Sequence, residues 1–213
     1  MTAFTMLEGL DEDDTRLVLS AARRKKFKRG EAICREGDPG DSLFLLDKGH
    51  VAIRVTTPMG DVATMRVLGA GSQFGEIAVI EATPRSATVV ALDPVEVYSL
   101  HRDVINELRA EHPTVDQVLL SAALNEVRRL TGALAEALYT QVPKRLARTL
   151  HRLLDVWPDG IIPLTQDDIA GLCGTTRQTT NEVLQQLAAE GAVLVMRGKI
   201  EIVDVARIAR AAR

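Results

Sequence analysis

The chain changes its pattern of apolar and polar positions twice. Residues 1–22 carry a short helical pattern of leucines, and Asp11 can cap its start. From about residue 27 to residue 100, short runs rich in Val, Ile, Thr and Leu alternate with Gly, Pro and Asp punctuation, which predicts the strands of an antiparallel sandwich or barrel. After Pro113 the pattern is helical. We therefore predict an α+β protein with a β-rich N-terminal part and a helical C-terminal part.

The first helical stretch after Pro113 carries a narrow apolar stripe. Its positions step by 4, 3, 4, 3 and 4 residues, which is the period of a coiled-coil seam: Leu120, Leu124, Val127, Thr131, Leu134 and Leu138. A single amphipathic helix packed on its own domain is the alternative, but its apolar face would be wider. We therefore predict a dimerisation helix. Gly132 beside the stripe weakens the helix and suggests a close approach, either of a second chain or of a ligand.

A break at Gln141-Val142-Pro143 predicts a domain boundary, because proline is tolerated at a helix start and not in its interior. Residues 164–193 then read LTQDDIAGLCGTTRQTTNEVLQQLAAEGAV, two short helices joined at Gly174. This is the pattern of a helix-turn-helix, whose second helix enters the major groove of DNA. The next segment, AVLVMRGKIEIVD, alternates around a basic tip and predicts the hairpin of a winged helix-turn-helix.

The DNA-facing residues of this unit are predicted from their place at a helix start or at the hairpin tip. A helical packing module without DNA contacts would explain the apolar positions Val183, Leu184 and Leu187 equally well. It would not explain a polar row at a helix start followed by a basic hairpin. We assign DNA contacts to Thr165, Thr175, Thr176, Arg177, Gln178, Thr180, Asn181, Arg197 and Lys199.

Composition narrows the classes of protein. With 213 residues, 46% hydrophobic and 26% charged, the chain is long enough for two domains and fits no disordered, fibrous or membrane class. The acidic start and the lack of a long apolar run predict a cytoplasmic protein. A net charge of −3 argues against indiscriminate polyanion binding. The acid-free stretch from Lys144 to Arg152 indicates a local, C-terminal nucleic-acid surface.

Little in the chain suggests an enzyme. Cys34 and Cys173 are far apart and predict buried apolar positions, not a disulfide framework or a metal cluster. We find no nucleophile with a neighbouring base and no Gly-rich phosphate-transfer loop. A binding or regulatory protein is therefore expected.

One short segment, FGEIAVIEATPRSATVVA at residues 74–91, combines a Gly-Glu pair with an Arg-Ser pair. The pairs look like two halves of a small anion site. Taken singly, Arg85 could form a surface ion pair with Glu81, and Glu76 could be a solvated acid at a helix start.

Over essentially its whole length the sequence resembles the bacterial CRP/FNR family of transcription regulators. The resemblance rests on EGDPGDSLFLLDKGHVAI at residues 36–53, on GSQFGEIAVIEATPRSATV at residues 71–89 and on the helix-turn-helix. It implies a jelly-roll-like, cyclic-nucleotide-binding β-roll with an N-terminal helix at residues 1–112. A dimerisation helix at 113–140 and a winged helix-turn-helix DNA-binding domain at 141–213 would follow.

The resemblance also implies how a cyclic nucleotide is held. A short helix from Phe74 to Glu81 would offer its N-terminal N–H groups to the phosphate. Arg85 would pair with the phosphate, and Ser86 and Ala87 would add donors. Glu76 would accept the ribose 2′-hydroxyl. The implied ligand residues are Gly75, Glu76, Ile77, Ala78, Arg85, Ser86, Ala87 and Thr131.

The base-reading half of the implied pocket departs from the family pattern. The Thr-Ser or Thr-Asn pair of cyclic-AMP-responsive members falls on Ala133 and Leu134, and Thr131 is the hydroxyl nearby. Cyclic AMP is the leading ligand. Another nucleotide or other ligand, weak selectivity, an allosteric response unlike the family's usual one, and no ligand response stay open. The family's iron–sulfur and haem sensors need cysteine or histidine arrangements that this chain does not offer, so no metal, haem or cluster is expected.

The implied partners are a palindromic DNA operator, a second copy of the chain and RNA polymerase. The basic run from Arg23 to Arg29 is either a solvated strand edge or a contact for RNA polymerase. A cyclic-nucleotide-binding module that regulates a protein partner without binding DNA is the rival interpretation. The sequence does not distinguish an activator from a repressor.

Overall fold

A computed structural model describes residues 2–7, 10–112 and 114–213. Its first part contains α1 (Glu12–Ala21), β1 (Arg23–Phe27), β2 (Ala32–Cys34), β3 (Ser42–Lys48), β4 (Val51–Thr56), β5 (Val62–Leu68), β6 (Gln73–Phe74), α2 (Glu76–Glu81), β7 (Thr88–Ala91), β8 (Val95–His101) and α3 (Arg102–Glu111). The long helix α4 (Thr114–Tyr139) follows. The last part contains α5 (Val142–Leu153), β9 (Ile161–Ile162), α6 (Gln166–Cys173), α7 (Arg177–Ala189), β10 (Val193–Met196), β11 (Lys199–Ile202) and α8 (Val205–Ala211).

The strands of the first part form two four-stranded sheets, in the orders β1-β8-β3-β6 and β2-β7-β4-β5. Strand β3 is buried on both faces because its side chains alternate between two cores. Phe44 and Leu46 pack with Phe74, Val89 and Val97 in one core. Leu43 and Leu45 pack with apolar residues of α1, α3 and the start of α4 in the other. The predicted β-rich N-terminal fold is confirmed.

Two compact units divide the chain differently from the predicted boundaries. One unit comprises residues 1–55 and 67–129, and the other comprises residues 56–66 and 130–213. The end of the β4–β5 hairpin therefore groups with the C-terminal residues. The boundaries that we predict at residues 112 and 140 stay predictions.

Helix α4 buries its first turns and exposes the predicted seam. Val115, Val118 and Leu119 are buried against the first unit. Further along, every apolar seam position is exposed: Leu120, Leu124, Val127, Leu134 and Leu138. A Cβ built on Gly132 would meet nothing within 4 Å, so this chain's own described residues do not make the close approach that the glycine suggested.

The second unit is a winged helix-turn-helix, as predicted. Helices α6 and α7 are joined by a turn at Gly174, whose φ of 59° is left-handed and favours glycine. Val183, Leu184 and Leu187 on α7 face the core, where they are buried. Strands β10 and β11 form the hairpin, and β9 extends this sheet.

Asp168 joins helix α6 to the end of the β4–β5 hairpin. Its Oδ2 accepts hydrogen bonds from the backbone N–H (3.0 Å) and the hydroxyl (2.7 Å) of Thr165, which completes a capping box. Its Oδ1 accepts the hydroxyl proton of Thr64 at 2.7 Å. Asp168 and Thr64 are both buried, so the hydrogen bond between them is shielded from water.

We expect Asp168→Ala to lower the free energy of unfolding of the C-terminal unit by about 2–3 kcal/mol, because it removes a helix cap and takes away the acceptor of the buried Thr64 hydroxyl. Trp157 is the chain's one tryptophan and is buried in this unit, so its fluorescence during guanidinium unfolding provides the measurement. The exposed Asp155→Ala should change stability by no more than about 0.5 kcal/mol. Equal effects of the two changes would contradict the prediction.

Candidate nucleotide pocket and DNA-binding surface

Arg85 is a buried cation held by backbone oxygens. Its side chain is 5% exposed. Nη1 donates to the carbonyl of Gly75 at 3.1 Å and Nη2 to the carbonyl of Ser42 at 2.6 Å, while the guanidinium lies 5.2 Å from the centre of the Phe44 ring. Among the described residues, Nε has no hydrogen-bond partner. A buried cation with an unused donor fits an anionic ligand.

This burial excludes the alternative that Arg85 forms a surface ion pair with Glu81. No carboxylate of the described residues lies within ion-pair distance of the guanidinium; its contacts are the two carbonyls and the aromatic ring. A buried charge is normally compensated by a partner of opposite charge. The compensating anion is therefore expected to come from outside the described residues.

The Gly-Glu pair is explained by the same arginine. Gly75 has a φ of 84° and precedes helix α2, and a Cβ at this position would collide with Nη1 of Arg85. The backbone of Gly75 can approach the guanidinium only without a side chain. Gly75 and Arg85, one residue from each pair of the motif, are thus in contact.

The other implied ligand residues differ in exposure. Glu76 and Ala87 are partly exposed, Ser86 is exposed, and Ile77 on α2 is 45% exposed. Ala78 is buried beside Gly40, so it can offer a ligand only backbone groups. Thr131 is exposed on α4. Its role as a ligand residue stays a prediction.

Sequence reasoning missed Arg102. Its Nη2 donates to the carbonyls of Gly40 (2.6 Å) and Ala78 (3.0 Å) and so ties helix α2 to the loop before β3. Gly40 packs so closely on Ala78 that a Cβ there would collide with it. Nothing local marks this arginine, because both of its partners are backbone oxygens distant in sequence.

Both described cysteines are free, Cys34 partly exposed and Cys173 buried. Burial raises the pKa of the Cys34 thiol, although the neighbouring Arg85 cation offsets part of this rise. Burial likewise raises the pKa of the Cys173 thiol, and a hydrogen bond with Thr149 offsets part of this rise.

In the described ranges, His, Cys, Asp and Glu side chains form no group of three or more that could hold a metal ion. Nor is any described helix long and apolar enough to cross a bilayer.

The start of helix α7 exposes the polar row that the sequence predicts. Arg177, Gln178 and Asn181 are exposed, and Thr176 caps the helix by accepting the N–H of Thr179 at 3.2 Å. Thr165 caps α6, and Thr175 is partly exposed in the turn. On the wing tip, Arg197 is exposed and Lys199 partly so.

Thr180 has to be removed from the predicted DNA contacts. Its side chain is 0% exposed, and its hydroxyl has no partner among the described residues. It lies three and four residues before Val183 and Leu184, on the helix face that packs inward. The run of polar residues from Arg177 to Asn181 does not show that Thr180 lies on the buried face of the helix while its neighbours are exposed.

The basic stretch from Lys144 to Arg152 lies in the C-terminal unit, where its arginines contact other residues of that unit. Arg145 is buried and donates to backbone carbonyls, including those of Thr140 (2.8 Å) and Gly174 (3.1 Å). Arg148 and Arg152 both form ion pairs with Glu136, at 3.5 and 2.9 Å. These arginines hold the C-terminal unit together.

Each exposed reading side chain of α7 is engaged by a neighbour. Nη1 of Arg177 lies 3.4 Å from a carboxylate oxygen of Asp167. The amide of Gln178 donates to Glu182 at 3.1 Å. The amide of Gln166 donates to the side-chain oxygen of Asn181 at 3.1 Å. From the sequence we expect Glu182 either to read a cytosine amino group or to be held away from the phosphates by Arg177 or Arg197. In the structure Glu182 contacts Gln178 instead of either arginine.

A cleft of about 260 Å³ separates the start of α6 from the wing. Its lining includes three cationic side chains, Arg177, Arg197 and Lys199, and the carboxylate of Asp167. Backbone phosphates of DNA are the polyanion for which a cationic cleft beside an exposed recognition helix is suited.

Two segments of the chain match two known domains. Residues 24–112 match the cyclic nucleotide-binding domain, and residues 144–211 match the Crp-like helix-turn-helix domain. A CRP-like cAMP-activated global transcriptional regulator of Mycobacterium tuberculosis is 31% identical over 194 residues, 88% of this chain and 87% of that protein. The catabolite activator protein of Thermus thermophilus is 29% identical, with a TM-score of 0.59 and 97% of both chains covered. A CRP/FNR-family structure from Eubacterium rectale, at 17% identity and a TM-score of 0.80, supports the fold.

These features define a transcription regulator that combines a cyclic-nucleotide-binding domain with a DNA-binding helix-turn-helix. The chain belongs to the CRP/FNR family.

Proposed function

We propose that this protein is a homodimeric, cytoplasmic transcription regulator that binds palindromic operators under the control of a cyclic nucleotide, with cyclic AMP as the leading ligand. The observation that carries the ligand part is the buried guanidinium of Arg85, which has an unused Nε and no carboxylate partner among the described residues. A cyclic phosphate supplies the missing charge and an acceptor. The arginine would thereby gain its counter-ion only when the ligand is present.

Cyclic AMP is proposed from the relatives and from the base-reading positions, whereas the phosphate is proposed from the contacts of Arg85. The Mycobacterium tuberculosis relative is described as cAMP-activated. In this chain, however, Ala133 and Leu134 stand where the resemblance places the base-reading pair, and neither side chain forms hydrogen bonds. Thr131 offers one hydroxyl. A pocket with few base contacts predicts a small difference between cyclic AMP and cyclic GMP.

The dimer part of the proposal is supported by the exposed seam on helix α4. Five apolar seam residues in one stripe are exposed in the single chain, Leu138 by 65%. Pairing with the same stripe of a second chain would remove them from water with the period of a coiled coil.

Control by ligand would then be a shift between dimer arrangements. The nucleotide favours the arrangement whose two recognition helices lie about 34 Å apart, one turn of DNA.

We further propose that β1 contributes to a contact with RNA polymerase. Its Arg24 and Lys26 are paired with acids of neighbouring strands, whereas Arg23 and Lys25 are exposed on the other face of the strand.

Calorimetric titration with cyclic AMP and cyclic GMP tests the ligand, and operator binding with and without nucleotide tests the coupling. The rival, a nucleotide-binding module that controls a protein partner, predicts nucleotide binding without salt-dependent binding to any palindromic duplex. Salt-dependent, nucleotide-enhanced binding to a palindrome would exclude that rival.

We expect the selected operator to keep one guanine per half-site but to differ from the TGTGA box that the resemblance implies. Arg177 suits guanine O6 and N7, while Gln178 offers both a donor and an acceptor and suits adenine N6 and N7. The cyclic-AMP receptor pattern that the sequence resembles has Arg-Glu-Thr where this chain has Arg177-Gln178-Thr179, and a glutamate can only accept, for example from cytosine N4. Selection from random duplexes provides the measurement.

The matched variant for this selection is Gln178→Glu, which changes one atom group at the same place on α7. It should move the preference at that position toward the family box. Recovery of the same TGTGA-type palindrome by both proteins would show that Gln178 does not read bases.

A further inference from the structure

Asp167 is an acid in a cleft whose other charged lining residues are cations. It is the second residue of helix α6, is exposed, and lines the cleft between α6 and the wing together with Arg177, Arg197 and Lys199. Only one of these cations is paired with it: Nη1 of Arg177 lies 3.4 Å from Oδ2. The Asp167 carboxylate thus lies where a DNA phosphate could otherwise contact Arg177, the residue that we expect to read a guanine.

From this contact we propose that Asp167 is a specificity-determining residue, which withholds Arg177 from DNA phosphates and releases it to a cognate base. The inference rests on the proposed function, because it presupposes binding to DNA. It concerns how the protein distinguishes its operator from other DNA.

The physical reason lies in the different origins of the two kinds of binding. Sequence-independent binding consists almost wholly of contacts between cations and phosphates, and each contact releases counterions. While Arg177 remains with Asp167, it contributes no such contact on random DNA. An exposed ion pair is weak and is screened by salt, so a bidentate contact with guanine can replace it at the operator. Asp167 therefore weakens random binding more than operator binding.

The other engaged residues of the row provide an internal comparison. Glu182 lies on the same exposed surface and holds Gln178 rather than a cation. Removing the charge of Glu182 releases no side chain able to neutralise a phosphate. Removing the charge of Asp167 releases an arginine. Comparing variants of the two acids therefore distinguishes the effect of releasing a cation from the effect of losing a negative charge.

The test compares Asp167→Asn, Glu182→Gln and Glu190→Gln in the full-length protein with saturating cyclic nucleotide. Glu190 is an exposed acid at the far end of α7, about 20 Å from Arg177 at 1.5 Å per residue. Binding is measured on a pool of random 30-base-pair duplexes and on the operator that the wild-type protein selects, at several salt concentrations.

We expect Asp167→Asn to bind the random pool about five- to tenfold more tightly near 0.1 M salt, and to steepen the dependence of log K on log salt by about 0.9, the contribution of one added phosphate contact. The affinity of Asp167→Asn for the operator, divided by that of the charge control Glu190→Gln, should exceed the wild-type value by less than about twofold. The ratio of operator affinity to random-pool affinity therefore falls. Glu182→Gln should leave the salt slope on the random pool unchanged.

An unchanged salt slope for Asp167→Asn, or an equal gain on both duplexes, would overturn the inference and leave the proposed function standing. A wild-type protein that binds neither duplex at any salt concentration would overturn the proposed function itself. A purely structural role of Asp167 would lower the affinity for both duplexes, which is the opposite of the expected gain on random DNA.

Discussion

Arg85→Leu is expected to lower the affinity for a cyclic nucleotide by at least about a hundredfold. The change removes the charge and the guanidinium donors that would reach the phosphate, and charge-assisted hydrogen bonds of this kind contribute about 1.5–3 kcal/mol each. Without the guanidinium the phosphate would be held only by uncharged donors, which cannot replace its counter-ion. Calorimetric titration with cyclic AMP measures the loss.

Two further variants show that the loss comes from the site. Arg85→Lys keeps the charge but not the planar fork, so we expect an intermediate affinity. Arg29→Leu removes an exposed arginine from the same unit and should bind as the wild type does. Leu at position 85 leaves the carbonyls of Gly75 and Ser42 without their donors, so circular dichroism must show that the fold persists. Wild-type affinity in a folded Arg85→Leu protein would remove Arg85 from the pocket.

Replacing Leu124 and Val127 together by glutamate is expected to give monomers and to abolish operator binding. The two side chains are 46% and 58% exposed in the single chain and occupy adjacent seam positions. In a two-fold interface the change would place four carboxylates in an apolar seam, where their desolvation is costly. A monomer offers one half-site, which supplies too few contacts for tight binding.

Light scattering and operator binding measure the effect of the seam change. The matched control is Ser121→Glu with Asn125→Glu, which adds the same charge at exposed positions of α4 outside the stripe and should leave the dimer intact. Dimers that persist in the seam variant would place the interface elsewhere on the molecule.

Local patterns in the sequence predicted the elements of this fold well. Gly and Pro punctuation marked the strands, and the 4-3 spacing marked the exposed stripe of α4. The pairing of Gly75 with Arg85 was also predictable, because both belong to one short motif. In each case the signal lies within a few residues of the feature it predicts.

Contacts between distant segments could not be predicted in this way. The stretch from Lys144 to Arg152 reads as a cationic surface, yet Arg145 is buried on backbone carbonyls, which have no sequence signature. The same holds for Arg102 on the carbonyls of Gly40 and Ala78. Thr180 failed for a different reason, since polar letters alone do not tell which face of a helix is buried.

The grouping of residues 56–66 with the C-terminal unit means that this unit is discontinuous along the chain. Helix α6 approaches the hairpin end so closely that a Cβ on Gly171 would lie 2.6 Å from the backbone nitrogen of Thr64. A separately expressed fragment that began at residue 130 would contain the whole helix-turn-helix but not the Thr64 hydroxyl that Asp168 accepts. Dividing this regulator at a linear boundary would therefore uncover a packed face of its DNA-binding part.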